Sequence, residues 1–268
     1  MWIPEQSDFM KFNNNNIRIG ENVQIGRNVK IGDNTTIYDN VIIGDNAIIC
    51  NDCVLGEPLN DYYHDPGYKN PTLKIGEHAL IRSHSIFYAG SIIGDYLQTG
   101  HRVTVREKTS AGNHCSFGSY TDIQGFCKIG NYVRMHSYVN IGQQSEIDDF
   151  VFLYPFTVLT NDPTPPSNKL VGVKIGRYSQ ITTGSILLPG AVVGENSLVS
   201  AHSTVGGCFE AYSFIAGTPA RRICDIRKAP LFNIETGKRH YPWQYNFKRG
   251  MPWEEEGFES WENRQNEN

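Results

Sequence analysis

Of two candidate histidines, His136 stands where its neighbours in the chain carry glycine, and His101 directly follows such a glycine. His101 lies in "TGHRVTVREK" and His136 in "NYVRMHSYVNIG". An imidazole titrates near neutral pH, so each is a candidate proton acceptor or a hydrogen-bonding group. The basic segment around His101 adds Arg102, Arg106 and Lys108, with Glu107 among them. Net charge is −4, so an anionic ligand has to be met by a local cluster of this kind and not by a generally basic surface. Metal chemistry has little to stand on. Cys50 and Cys53 form one C-x-x-C with no second pair, no His-x4-His occurs, and His101, His114 and His136 fall on no common column. The cysteines read as small buried residues, and no metal is expected.

Positioning these groups requires an element, and the chain announces one. "NIRIGENVQIGRNVKIGDNTTI" places an isoleucine every six residues. The register runs from Ile19 to Leu55, from Ile75 to Leu159 and from Ile175 to Val205, and only Thr99 within it is not apolar. Four residues after most of these positions comes a small or β-branched residue such as Val23, Thr35 or Cys53. An amphipathic helix would space its apolar residues by three and four. A six-residue unit fits a short strand followed by a corner, with positions i and i+4 sharing the inward side. Gly and Asn suit the positive φ of tight corners. Such a period predicts a parallel β-helix, all-β, with three units to a coil. The units make about nine coils, roughly 45 Å at the spacing of stacked strands. Residues 1–215 form the β-helix domain, with extended loops at about 56–73 and 160–173. Residues 216–268, rich in aromatic and charged side chains, form a cap or clasp; residues 1–16 blunt the other end, and the final "NRQNEN" is expected to be disordered.

Stacking every 18 residues puts Ser83, His101, Ser119 and Ser137 in one column and Gly100, Gly118 and His136 beside it. His101 and His136 then share a face about 10 Å apart, and Asp95 lies on another face. No stretch holds the ~20 apolar residues of a membrane span. The first residues lack the order of a secretory signal, so a cytoplasmic protein is expected.

The tandem hexapeptides and "IAGTPARRI" at 215–223 resemble the hexapeptide-repeat acyltransferases. Within them, "SIIGDYLQTGHRVTVRE", "NYVRMHSYVNIG" and "FTVLTNDPTPPS" look like the enzymes that acylate the 3- or 4-amine of dTDP-linked amino-6-deoxysugars. The resemblance implies a left-handed helix, a homotrimer, and acyl-CoA (acetyl-CoA or a hydroxyacyl-CoA) and the sugar nucleotide bound between adjacent subunits. It implies Asp95 and Ser85 as a catalytic pair, with His136 and Asn161 near the acceptor. His101, Arg102, Arg106 and Glu107 would serve the sugar nucleotide, and Arg221 and Arg222 the phosphates of CoA. Read from position alone, Asp95 is equally a corner residue and Ser85 a small core residue. Another small acceptor, or a scaffold without catalysis, remains an alternative to the sugar amine.

Overall fold

The computed structural model describes residues 12–266. The chain winds into a three-sided left-handed column of parallel strands, mostly two residues long. Sheets A and B each contain ten strands and sheet C eleven, so the stack is slightly longer than the nine coils expected. Strand stacking extends beyond Val205 after a shortened step: Phe209 and Ile215 pair onto Val193 and Val199. Register between coils follows the 18-residue step, with Ile123 opposite Ile141 and Met135 opposite Leu153.

The interior is the predicted row of aliphatic side chains. Leu55, Val105, Ile123, Ile141 and Leu187 are fully buried in sheet A, and the i+4 positions Thr35, Val41, Ala47 and Cys53 lie beside their counterparts. Burying two small apolar groups per side at strand spacing is what the six-residue period accomplishes. At the N-terminal end Ile19 and Ile25 are 54% and 42% exposed. The expectation that residues 1–16 blunt this end falls largely outside the described residues.

Corners obey a different rule from the one expected. The left-handed position is the third after the inward residue, and from His78 onward His, Tyr, Phe, Arg or Lys occupies most of these sites: His114, Tyr120, Tyr138 and Phe156 have φ of 58–61°. The glycine directly after the inward residue serves close approach instead. A Cβ on Gly26 would sit 2.6 Å from Asp45 Oδ1 and 2.7 Å from Asp45 N in the next coil. The left-handed side chains then stack upon one another. His78, Tyr96, His114, Tyr132, Phe150 and Tyr178 form a continuous ladder on the B–C edge, with ring centroids 4.6–5.1 Å apart.

Both loops leave from the A–B edge, between Glu57 and Leu73 and between Leu159 and Lys174. Asn70 pins the first: its Nδ2 donates to Gly56 O at 2.8 Å and Asp39 O at 3.1 Å. Asp162 pins the second, accepting from Ser167 Oγ at 2.6 Å and Ser167 N at 3.0 Å. Sheet C ends in an antiparallel hairpin, Ser213–Gly217 with Ala220–Asp225, past the boundary expected at 215.

Ala220–Asp225 covers the terminal edge of sheet C, and the remaining chain continues from it. It folds back along sheet C and the upper B–C ladder, where Trp243, Met251, Trp253, Phe258 and Trp261 join Phe150, Phe152 and Tyr178 in a second apolar cluster. The helix α1, Phe258–Asn266, includes most of the segment expected to be disordered. Packing of Phe258 and Trp261 against Trp253 accounts for its order. No helix among the described residues is long and apolar enough to cross a membrane.

Candidate active site

The pair Asp95 and Ser85 does not come together. Asp95 is on the B–C edge, inside a ladder in which each carboxylate or amide oxygen caps the backbone of the coil below. Its Oδ1 accepts from Glu77 N at 2.8 Å, and its own N donates to Asn113 Oδ1 at 2.8 Å. Asn131 and Asp149 continue the series. Ser85 lies at the C–A edge, facing inward and 0% exposed. Its Oγ donates to Arg82 O at 2.7 Å and accepts from Val103 N at 3.3 Å. Ser145 bonds in the same way to Gly142 O and Val173 N. Ser85 is therefore core chemistry of the coil, and Asp95 uses one carboxylate oxygen to cap the corner below it. The assignment of Ser85 to hold or relay from an amine is corrected, because no substrate reaches a hydroxyl in the core.

The two histidines occupy the columns expected. His101 is exposed on the C–A edge, and its backbone N donates to Ser119 Oγ at 3.0 Å. His136 is exposed on the same edge, with its ring stacked on Tyr154 at 4.9 Å and 13°. Its backbone is fixed by donation from N to Leu153 O at 2.8 Å. Partial burial, and then the charge of Arg134, hold this imidazole below the ordinary histidine value. Arg134 is itself held by the tail, its Nη2 donating to Arg249 O at 2.8 Å and Gly250 O at 3.0 Å. The result is an imidazole that is exposed, oriented and neutral at pH 7. Three further aromatic rings flank it on this edge: Tyr120, Tyr138 and Phe156, stacked and about half exposed.

The basic cluster divides. Arg102 occupies the left-handed site of the C–A edge, φ 58°, while Arg106 and Lys108 lie across sheet A on the A–B edge. Arg106 pairs with Glu107, Nε to Oε2 at 2.9 Å, and lies over the ring of Tyr88. Lys108 lies over Phe126. These five side chains and Asn60 and Asp61 of the first loop enclose a cleft of about 230 Å³. Cations above aromatic rings, beside amide and carboxylate groups, suit an anionic ligand that carries a planar ring.

Asn161 opens the second loop and lines a cleft of about 430 Å³ with Gln124, Asn140, Gln143 and Asp162. Asp122 organises its floor, accepting from Gln124 Nε2 at 2.6 Å and Asn140 Nδ2 at 3.3 Å. Gln124 also meets Arg106 at 3.5 Å, which joins this cleft to the one under the first loop. Asp122, Gln124, Asn140 and Tyr154 escape sequence reasoning. The signal available is that two successive outward positions of sheet A, 18 residues apart, carry Asp122 and Asn140. Of the terminal arginines, Arg222 is engaged by Glu210 at 3.2 Å and by Ser213 Oγ at 3.1 Å, whereas among the described residues Arg221 donates only to Ala220 O. Among the described residues no group of three or more His, Cys, Asp and Glu side chains is placed to hold a metal ion. Burial pushes the thiols of Cys53 and Cys115 up to about 12, so neither is a nucleophile at neutral pH.

A three-sided left-handed column of hexapeptides, with a neutral imidazole on one edge and polar clefts on the next, defines a hexapeptide-repeat β-helix protein. Residues 22–57 match the family described as bacterial transferase hexapeptide (six repeats). Repeat and fold together are those of a hexapeptide-repeat β-helix. No curated protein sequence matches it. Among solved structures it is similar to UDP-N-acetylglucosamine O-acyltransferase from Moraxella catarrhalis, at 18% identity over 77% of this chain and 64% of that one, TM-score 0.48. It is similar to the Francisella novicida UDP-N-acetylglucosamine acyltransferase, at 23% identity over 77% of this chain and 61% of that one, TM-score 0.40. It is also similar to a Caulobacter crescentus protein solved with CoA and GDP-perosamine, at 16% identity over 52% of this chain and 57% of that one, TM-score 0.24. The chain spans less than two thirds of each of these. They are likenesses between chains, from which no activity follows.

Proposed function

We propose that this protein is an acyl-CoA-dependent N-acyltransferase. It would act as a cytoplasmic homotrimer on the 3- or 4-amine of a nucleotide-linked amino-6-deoxysugar, the nucleotide being dTDP. The observation that carries the reading is His136, an exposed imidazole held neutral and fixed on Tyr154. In the reaction the amine nitrogen attacks the thioester carbonyl carbon. The carbon–nitrogen bond forms, the carbon–sulfur bond breaks, and the CoA thiolate leaves with the electron pair. The ammonium proton passes to the neutral imidazole of His136 and from there to the thiolate or to water. A base with a pKa below that of a typical amine is sufficient, because the nitrogen becomes strongly acidic once the tetrahedral intermediate forms. Holding the two substrates together supplies the larger part of the acceleration.

The joined clefts on the A–B edge fit the acceptor. Arg106 and Lys108 suit its phosphates and the ring faces its base, while Asn161, Asn140 and Gln124 offer amides to sugar hydroxyls. His136 is on the opposite edge of sheet A, so the complete site needs the A–B edge of a neighbouring subunit. His101 and Arg102 share the edge of His136 and are placed to contact the same acceptor. Arg221, the freer terminal arginine, is the one available to a CoA phosphate. A scaffold without catalysis gives no reason for a neutral exposed histidine or for two pinned loops beside polar clefts.

The test is incubation of the protein with acyl-CoA and a panel of dTDP- and UDP-linked amino sugars, reading release of free thiol. Release that depends on the amino sugar supports the reading. Thiol release that is equal with and without an acceptor removes it.

A further inference from the structure

Cations and exposed apolar side chains occur together at the last coils. Residues 221–239 hold six Lys or Arg against Asp225 and Glu235, in a chain whose net charge is −4. All six basic residues are exposed. Asp225 is taken up by Arg227, Oδ2 to Nη2 at 2.6 Å, whereas among the described residues Lys228 and Lys238 make no ion pair.

Two devices turn apolar side chains outward here. In the terminal strand the register steps from Phe214 opposite Cys224 to Ile215 opposite Arg222, so a bulge leaves Ile223 unpaired and more than half exposed. Beyond that strand, Leu231–His240 forms a short hairpin, with His240 N donating to Leu231 O at 2.9 Å. Leu231 packs on the same apolar cluster as Cys224, and Arg239 Nη1 donates to Lys228 O at 2.9 Å, so the hairpin is tied to the terminal strand. Its tip is closed by its own bonds. Asn233 N donates to Lys238 O at 2.8 Å, and Asn233 Oδ1 accepts from Glu235 N at 2.9 Å. None of these uses the side chain of Ile234, which is fully exposed, and Phe232 beside it is more than half exposed. An isoleucine that buries nothing adds nothing to the fold. It gains only from a surface that removes it from water.

We propose that this end of the column is a peripheral docking surface for an anionic lipid bilayer. Ile234 enters the boundary between headgroups and acyl chains, and Lys228 and Lys238 meet the lipid phosphates. An apolar tip flanked by cations matches that boundary. Charge selects anionic lipid over neutral lipid. The bare isoleucine selects a bilayer over a soluble polyanion, which offers the tip no apolar phase. No membrane span is involved, and the inference does not depend on acyl transfer. In the trimer proposed above, three tips would lie at one height along the axis and face one plane, so that weak single contacts add.

The experiment sediments the full chain with vesicles of phosphatidylcholine alone, and of phosphatidylcholine and phosphatidylglycerol in equal parts. Retention is expected on the anionic vesicles and not on the neutral ones. It should fall away at ~1 M salt, where the screening length is about 3 Å. Lys228→Ala combined with Lys238→Ala should weaken binding about thirtyfold, at about fivefold for each cation near the surface. Ile234→Asn should weaken it about tenfold, the scale of burying one such side chain. Melting should be unchanged in both variants, because the altered side chains are exposed. No retention on anionic vesicles, or retention indifferent to Ile234→Asn, overturns the proposal. Binding to soluble poly-glutamate without binding to vesicles assigns the surface to an acidic protein and overturns it as well. No thioester enters these measurements, so their failure leaves the acyl-transfer reading untouched.

Discussion

Replacing His136 by Asn keeps a polar group of similar reach and removes the proton acceptor. Turnover should fall by about 10²–10⁴, the usual contribution of a positioned base, with little change in thermal melting because the side chain is exposed. The pH profile follows from the direction of the shift. Burial and Arg134 lower the pKa of this imidazole, so it is the neutral, active form that persists as the pH falls through the ordinary histidine value. kcat/KM should lose its acidic limb only below pH ~6.5, the unperturbed histidine value. A limb above that value would remove His136 as the base. The opposite outcome is expected for Asp95→Asn, since Asn113 and Asn131 fill the same corner role in the coils above. Ser85→Ala should cost about 1 kcal/mol of stability through the lost hydroxyl bonds and leave turnover intact. Steady-state rates on both variants check this. His136 is legible in the sequence because it breaks a column of glycines. The commitment of Asp95 is not, because corner and catalytic aspartates have the same neighbours in the chain. Only the coil above or below shows which N–H the carboxylate caps.

At the scale of elements, the period of six predicts the strands, the inward rows and both loops, since one side chain per six residues leaves no other economical packing. It does not predict who takes the left-handed corners. Asn holds them in the first coils, and the aromatic ladder from His78 to Tyr178 then replaces it, because ring stacking between coils offsets the cost of positive φ. Nor does it predict where the tail lies. The tail has no repeat, and its partner surface, Phe150, Phe152 and Tyr178, is separated from it by many residues of chain. Trp253 is the centre of that contact, fully buried against Phe150, Trp243, Phe258 and Trp261, with Nε1 donating to Phe247 O at 3.0 Å. Trp253→Ala should cost the docked tail about 3–5 kcal/mol. Hydrogen exchange should show residues 226–266 opening while the coils stay protected. Uniform protection in this variant would mean that the tail is held by something other than its aromatic cluster.

For the whole molecule the telling fact is a separation. His136 and the cleft of Asn161 lie on opposite edges of sheet A, with a strand between them, in every coil that could relate them. A single column therefore presents an imidazole on one edge and an acceptor cleft on another, pointing apart. In the trimer proposed above, cyclic association would turn unlike edges toward each other, so that each site would take His136 from one subunit and Asn161 from the next. The exposed rings of Tyr120, Tyr138 and Phe156, on the same edge as His136, would give that contact an apolar core. This arrangement makes a prediction that no single-subunit site shares. His136→Asn and Asn161→Ala should each be nearly inactive alone. Unfolded, mixed in equal amounts and refolded together, they should regain about a quarter of the normal activity, because about one interface in four then pairs an intact histidine with an intact asparagine. A site built within one subunit would regain nothing on mixing, since every chain would still carry one of the two lesions.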